Sequence, residues 1–82
     1  MRLDKYLKVS RLIKRRTVAN EACDNERVSV NGRVARASYD VKVGDKITIR
    51  FGEKAVTVEV LDVRETVGKA DAPTMYREVA GE

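Results

Sequence analysis

The spacing between apolar residues changes near residue 28, and this change restricts the fold more than any other feature of the sequence. Upstream of it, Leu3, Tyr6 and Leu7 recur at intervals of three and four residues, which places them on one face of a helix. Downstream, Val28 and Val30 flank a polar residue, which is the spacing of a half-buried strand. The chain is therefore expected to begin with helices and to continue as a sheet.

The helical part is expected to bend near Ser10 and to resume as a second helix over residues 17–24. Thr17 is the candidate cap of that helix, because a threonine hydroxyl can accept a hydrogen bond from the first turn. Its expected buried stripe consists of Val18, Ala19, Ala22 and Cys23, and its expected solvent face consists of Asn20, Glu21 and Asp24.

The strands are expected to pair through tight turns. Asn31-Gly32 lies between alternating valines, and both residues tolerate the positive φ that a two-residue hairpin turn requires. Apolar residues alternate again over residues 47–51 and 56–60, and Gly44-Asp45 is expected to turn the chain before the first of these strands. The sequence therefore predicts an α+β fold, in which two N-terminal helices pack on a small, mainly antiparallel sheet.

The length of the chain limits it to one compact unit. A domain of 82 residues buries only a modest core. The alternation fades from about Arg64, and Gly68, Pro73 and Gly81 interrupt a polar segment. We therefore expect a single domain over residues 1–63 and a mobile C-terminal tail over residues 64–82.

Positive charge is concentrated at the start of the chain. The first sixteen residues contain seven basic residues and one acidic residue, which gives a net charge of +6, against +4 for the whole protein. The basic residues are Arg2, Lys5, Lys8, Arg11, Lys14, Arg15 and Arg16. Such a density of cations repels itself unless an anion is near, and a nucleic-acid backbone is the expected large anion.

A solvated surface and a membrane are the two alternative surroundings for these cations. Most lysine-rich surfaces are only solvated helical faces, but four of the seven residues are arginines, which bind phosphate in a forked geometry and stack on bases. A basic amphipathic helix can also lie on an anionic membrane, but the small core needs the few apolar side chains of this segment. The residues therefore favour nucleic-acid binding.

Several function classes find no support in the composition. The chain has no histidine, so the usual general base near neutral pH is missing, and we expect no enzymatic activity and no cofactor. A single cysteine, Cys23, cannot form an internal disulfide or a zinc site, and on an apolar stripe it is expected to be a buried thiol. No apolar run is long enough to span a bilayer, so we expect a cytoplasmic protein without a membrane partner.

Four segments in succession resemble a known family. They are Arg2-Leu3-Asp4-Lys5-Tyr6-Leu7, Arg15-Arg16-Thr17-Val18-Ala19, Arg27-Val28-Ser29-Val30-Asn31-Gly32 and Val41-Lys42-Val43-Gly44-Asp45. Together they resemble the RNA-binding domain named after small-subunit ribosomal protein four, over roughly residues 1–51. The compact chain is similar to the heat-shock-fifteen type of this family, and within it to the RqcP-like members of ribosome-associated quality control.

The resemblance implies a function and partners. Such proteins bind large ribosomal subunits that still hold a peptidyl-tRNA after a stalled ribosome has split, and they contact ribosomal RNA and tRNA near the peptidyl site. RqcP-like members help a tailing factor of the RqcH/NEMF type to add alanine to the stalled peptide. The implied partners are therefore large-subunit RNA, peptidyl-tRNA and that tailing factor, and the free protein is expected to be a monomer.

The resemblance also ranks the candidate RNA-binding residues, because the two N-terminal helices form the RNA-facing surface of the family. Arg2 and Arg16 come first. Their expected neighbours on the same surface are Lys5, Lys8, Arg11, Lys14, Arg15 and Asn20, and the further candidates are Asn31, which can equally serve only the turn, and Lys42. Glu26 stands where the family usually has glycine, and we expect Asn25 to take up the left-handed conformation that ends the helix.

Several alternative functions remain open on the residues alone. The same module is often attached to pseudouridine synthases and tRNA synthetases, so an enzyme accessory domain is one alternative. The rest are a protein–protein adaptor that uses the sheet surface, a general RNA- or DNA-binding module, and a heat-shock-fifteen-like factor that recycles blocked large subunits.

Overall fold

A computed structural model of the chain describes residues 1–65 and 67–79. This part of the chain contains helices α1 (Leu3–Val9) and α2 (Arg16–Asp24) and a single 3-10 turn, Ala72–Met75. Its strands are β1 (Val28–Val30), β2 (Arg33–Val34), β3 (Lys46–Phe51), β4 (Lys54–Val60) and β5 (Tyr76–Val79). The strands form one antiparallel sheet in the order β2-β1-β3-β4-β5. The predicted α+β fold is confirmed.

The core lies between α1 and one face of the sheet. The apolar stripe of α1, which is Leu3, Tyr6 and Leu7, is completely buried. It packs in one cluster with the inward side chains of the central strands, Val28, Ile47, Ile49, Val58 and Val60. The apolar stripe of the helix therefore packs on the alternate, inward-facing residues of the strands, as the two apolar spacings in the sequence predict.

Helix α2 differs from the prediction in three respects. It begins at Arg16, and no side chain caps it, so Thr17 lies within the first turn. Its buried stripe is narrower, because Ala19 and Cys23 are buried while Val18 is 48% exposed. Asn20 does not face solvent as predicted, because its side chain donates a hydrogen bond to Asp4 of α1. The helix thus makes a polar contact with α1 at a position that was expected to face solvent.

The turns follow the predicted chemistry at Asn31-Gly32 and depart from it at the end of α2. Asn31 and Gly32 have φ of +54° and +86°, as the tight hairpin requires. At the end of α2 the left-handed residue is Glu26, with φ of +59°, and the expectation for Asn25 is wrong. The amides of Glu26 and Arg27 donate to the carbonyls of Cys23 and Ala22, which closes the helix as a Schellman motif.

The structure also differs from the expected division of the chain at residue 63. Strand β5 pairs with β4 from Val60–Tyr76 to Thr57–Val79. Met75 is completely buried, and its carbonyl accepts a hydrogen bond of 2.7 Å from the hydroxyl of Tyr6. Residues 72–79 therefore belong to the folded unit. Residues 66 and 80–82 of the expected tail lie outside the described residues.

Replacing Met75 by alanine tests whether this segment supports the fold. We expect Met75→Ala to lower the free energy of unfolding by about 2–4 kcal/mol, because truncating a buried methionine leaves a cavity. Urea unfolding followed by circular dichroism measures the loss. Lys69→Ala, at an exposed position of the same segment, is the control and should change the stability by less than about 0.5 kcal/mol. Equal stability of both variants would contradict a folded role for Met75.

Candidate nucleic-acid interface

A buried carboxylate joins the two helices at the basic surface. Asp4 lies in the first turn of α1 and is 2% exposed. Its Oδ1 accepts hydrogen bonds from the amide of Lys5 at 2.8 Å and from Nε of Arg2 at 3.2 Å. Its Oδ2 accepts hydrogen bonds from Nδ2 of Asn20 at 3.2 Å and from Nη2 of Arg2 at 3.4 Å, and it lies 3.4 Å from Nε of Arg16. We call these four side chains, Asp4, Arg2, Arg16 and Asn20, the Asp4 cluster.

The Asp4 cluster fixes two guanidinium groups at the surface. The side chains of Arg2 and Arg16 remain 51% and 49% exposed although both contact the buried carboxylate. Burial alone would raise the pKa of Asp4, but the hydrogen bonds from Arg2, Asn20 and Arg16 outweigh it and lower that pKa below its ordinary value. Asp4 is therefore ionised at neutral pH, and the cluster carries one positive charge in excess.

The other candidate cations on the helices and their connection differ in their contacts. Lys5 forms an ion pair with Glu65, so part of its charge is neutralised within the protein. The side chains of Lys8, Arg11, Lys14 and Arg15 are exposed, and none has a hydrogen-bonding or ionic partner in residues 1–65 and 67–79. Arg11 has φ of +64°, a conformation that favours glycine. Its amide donates to the carbonyl of Lys8, so this left-handed conformation ends α1 as that of Glu26 ends α2.

Asn31 and Lys42 belong to a second polar cluster, built around Asp45. The carboxylate of Asp45 accepts hydrogen bonds from Nδ2 of Asn31 at 3.1 Å, from the hydroxyl of Tyr39 at 3.0 Å and from the amide of Lys42 at 3.0 Å. The side-chain oxygen of Asn31 accepts another from the amide of Lys46 at 3.0 Å. Asn31 and Asp45 therefore hold the two turns together, and the lysine side chain of Lys42 is exposed.

Two exposed arginines outside the helices were not among the predicted site residues. Arg33 and Arg36 are exposed on β2 and the loop after it. Arg36 lines a hollow of about 510 Å³ together with Arg2 and Asn20 of the Asp4 cluster, and the acidic residues Asp24 and Glu26 line it as well. Both arginines were missed because each is an isolated cation in the sequence, and their position depends on how the hairpin folds back toward α1 and α2.

The remaining chemistry of the described residues is limited. Burial raises the pKa of the Cys23 thiol to about 11, with Asp4 and Asp24 adding to the effect, so it is protonated at neutral pH and is a poor nucleophile. Within residues 1–65 and 67–79, no three His, Cys, Asp or Glu side chains are grouped to hold a metal ion. No helix in the same ranges is long and apolar enough to cross a membrane.

Comparison with known proteins identifies the family. The sequence pattern of the S4 domain family matches residues 1–47. The chain belongs to the S4 domain family. Two relatives of this S4 domain chain, from Halalkalibacterium halodurans and Bacillus subtilis, are both named RQC P-site tRNA stabilizing factor. They are 62% and 59% identical over 76 residues, covering 93% of this chain and 86% and 88% of theirs. The predicted family is thus confirmed.

Solved structures agree with this assignment of the S4 domain chain. The trimeric structure of heat shock protein 15 from Vibrio cholerae has a TM-score of 0.89 and 33% identity, and the match covers 98% of this chain and 82% of that one. The solution structure of the hypothetical protein HP1423 has a TM-score of 0.84 and 31% identity, and both chains are covered completely.

The lowered pKa of Asp4 makes the stability of the protein depend on acid. Its contribution should be complete above the ordinary pKa of 3.8 and should be lost as the pH falls through the lower pKa of the folded state. Asp4→Asn removes this titration, so the stability difference between the wild type and Asp4→Asn should shrink between about pH 5 and pH 2. Chemical unfolding at a series of pH values measures it.

The matched control for that series is Asp71→Asn, which replaces an exposed aspartate outside the Asp4 cluster. This variant should follow the wild-type profile. A constant difference between wild type and Asp4→Asn across the whole range would show that the carboxylate does not titrate below its ordinary pKa.

Proposed function

We propose that this protein is a non-catalytic RNA-binding factor of ribosome-associated quality control. In this proposal it binds the large ribosomal subunit that still holds a peptidyl-tRNA, and it contacts both ribosomal RNA and tRNA. The observation that carries the proposal is the pair of half-exposed guanidinium groups, Arg2 and Arg16, held by the buried carboxylate of Asp4 in a chain of the S4 domain family.

The geometry of the Asp4 cluster supports phosphate binding in particular. Arg2 donates to Asp4 through Nε and Nη2, and Arg16 faces it through Nε. The remaining exposed N–H groups of each guanidinium can donate to phosphate oxygens. The carboxylate fixes both groups before RNA arrives, so less side-chain entropy is lost on binding. The exposed cations of Lys8, Arg11, Lys14 and Arg15 add attraction around this pair.

The names of the relatives support the biological role. RQC P-site tRNA stabilizing factor is the name of relatives that are up to 62% identical and are matched over 86% of their length. Heat shock protein 15 of Escherichia coli is 33% identical, and the match covers 61% of its length. The identity and the length therefore favour the quality-control role over recycling of blocked subunits as in the heat-shock-fifteen type.

The finer parts of the proposal concern the partners. The protein acts as a monomer in the cytoplasm, holds the peptidyl-tRNA in place, and supports a tailing factor of the RqcH/NEMF type while alanine is added to the stalled peptide. No step of this role requires catalysis by the chain, in agreement with a sequence without histidine and a protonated thiol at Cys23.

Removing either guanidinium of the Asp4 cluster tests the interface. We expect Arg2→Ala and Arg16→Ala each to weaken binding to purified large subunits carrying peptidyl-tRNA by about tenfold, because each loses a charged hydrogen-bonding group. Co-sedimentation of the protein with the subunits measures the affinity. Circular dichroism should show folded variants, since Asp4 keeps the other arginine, Asn20 and the Lys5 amide as donors.

The control for these variants is Arg77→Ala, which removes an exposed arginine of β5 that pairs with Glu59. Its affinity for the subunits should equal that of the wild type. Wild-type binding by Arg2→Ala and Arg16→Ala would remove the interface from the Asp4 cluster. Retention of a protein partner after nuclease digestion of all RNA would instead support the adaptor alternative.

The dependence of binding on salt tests whether phosphates dominate the contact. If roughly five phosphates are neutralised, the logarithm of the affinity should fall with the logarithm of the salt concentration at a slope of about −4 to −5. The same co-sedimentation at several salt concentrations gives the slope, and Arg16→Ala should make it shallower by about 1. A flat response would contradict a contact made through the RNA backbone.

A further inference from the structure

The end of the β3–β4 hairpin combines an exposed aromatic ring with two arginines that have no ionic partner in residues 1–65 and 67–79. Its turn is Gly52-Glu53, between Phe51 of β3 and Lys54 of β4. The end of the hairpin lies beyond residues 1–47, which the S4 domain family matches. It also lies outside the Asp4 cluster, so the proposed function as stated leaves it without a role.

Phe51 is available for contact in a way that the other aromatic residues are not. Its side chain is 50% exposed, whereas Tyr6 is completely buried. Tyr39 and Tyr76 are partly buried. Phe51 lies directly opposite Lys54 in the register of the hairpin, so the ring and the ammonium group share one face of the sheet. This is the face that carries Ile47 and Ile49, beyond the edge of the core.

Arg27 and Arg50 lie opposite each other on the outer face of the same hairpin end. The amide of Arg50 donates to the carbonyl of Arg27 at 2.9 Å, which continues the pairing of Val28 with Ile49. Both side chains are exposed, and with Gly52 they line a hollow of about 310 Å³. Like charges in this position are destabilising, so the pair favours a bound anion.

The nearby carboxylates do not neutralise this pair. Glu26 and Glu53 are the acidic residues next to these cations in the sequence. Within residues 1–65 and 67–79, neither carboxylate forms a hydrogen bond or an ion pair with Arg27, Arg50 or Lys54. The three cations at the hairpin end are therefore available to an outside partner.

We propose that the end of the β3–β4 hairpin is a second RNA contact, in which Phe51 stacks on an unpaired base and Arg27 and Arg50 hold an adjoining phosphate. This inference rests on the proposed function for the identity of the polyanion, and adds to it a site that reads single-stranded RNA. Aromatic rings stack on bases of any sequence, and arginine forks bind the phosphates between them. Because the ring and the arginines lie on opposite faces of the sheet, the RNA segment passes around the Gly52-Glu53 turn, with a base on one face and a phosphate on the other.

An acidic protein segment is the competing partner for the same residues. Carboxylates would satisfy the arginines, but they would leave half of the Phe51 ring exposed to water. RNA satisfies both, because each nucleotide carries a flat apolar face and a charge. The combination of ring and forks on one hairpin end therefore favours RNA.

A tryptophan at position 51 reports on stacking directly. The chain has no tryptophan, so Phe51→Trp supplies the only indole, at a position that is already half-exposed. Its fluorescence should be quenched in a saturable manner by a short oligoadenylate and by purified large subunits, because the indole stacks on a base. Leu61→Trp is the control, since Leu61 is 43% exposed, lies after β4 and is outside the candidate site residues, and its fluorescence should not change.

The outcomes of this experiment decide between the partners. Quenching of Phe51→Trp by either RNA probe, without quenching of Leu61→Trp, supports the second contact. If neither RNA probe quenches Phe51→Trp, the second contact is overturned. Equal quenching by polyglutamate overturns it in favour of an acidic protein partner.

The affinity for large subunits separates the ring from the arginines. Phe51→Ala should weaken binding about tenfold, and Phe51→Tyr should restore it, because only the ring is needed. Leu61→Ala is the matched control, at an apolar position that is 43% exposed. Arg50→Gln should make the salt dependence shallower by about 1, whereas Lys46→Gln, an exposed cation at the other end of β3, should not.

Parallel measurements on Arg16→Ala distinguish the two proposals. Weakened binding by Arg16→Ala with wild-type binding by Phe51→Ala and Arg50→Gln overturns the hairpin contact and leaves the proposed function in place. If the wild type does not bind large subunits at all, the proposed function fails. In that case the quenching of Phe51→Trp by oligoadenylate still decides whether the hairpin end stacks on RNA.

Discussion

The buried carboxylate of Asp4 is the contact on which the rest of the molecule depends. It accepts hydrogen bonds from both helices, and these offset the cost of placing a charge where only 2% of the residue is exposed. The same contact sets the spacing of Arg2 and Arg16. A short chain with a modest core thus uses one ion-pair cluster both to join its helices and to arrange its cations.

The parts of the fold that could be predicted are those in which the spacing of apolar residues in the sequence matches the set of buried side chains. The stripe of α1, the Asn31-Gly32 hairpin and the central strands follow from apolar period and turn chemistry, because each buries one face against the same core. Strand β5 could not be predicted in this way. It lies at the edge of the sheet, and its residues Tyr76 and Val79 are only partly buried on either side of exposed Arg77 and Glu78, so no alternation marks it.

The candidate site, too, could be predicted from the sequence only in part. Charge alone does not distinguish among the seven cations of the first sixteen residues. The resemblance to the S4 domain family singled out Arg2 and Arg16. Asn20 contacts Asp4, which is 16 positions away in the sequence, and Lys5 pairs with Glu65, which is 60 positions away. No local pattern encodes such contacts, because they depend on how α2 and the segment after β4 return to α1.

The two proposed RNA contacts lie at opposite ends of α2, and this placement gives the small domain a defined orientation. Arg16 begins the helix and Arg27 follows its end, so nine residues of helix separate them by roughly 13 Å along its axis. A protein bound through a single cluster of phosphate contacts can still take several orientations, since equivalent phosphates repeat along the RNA backbone. A second contact that requires an unpaired base removes that freedom and raises the affinity as well, because the first contact holds the second near its target.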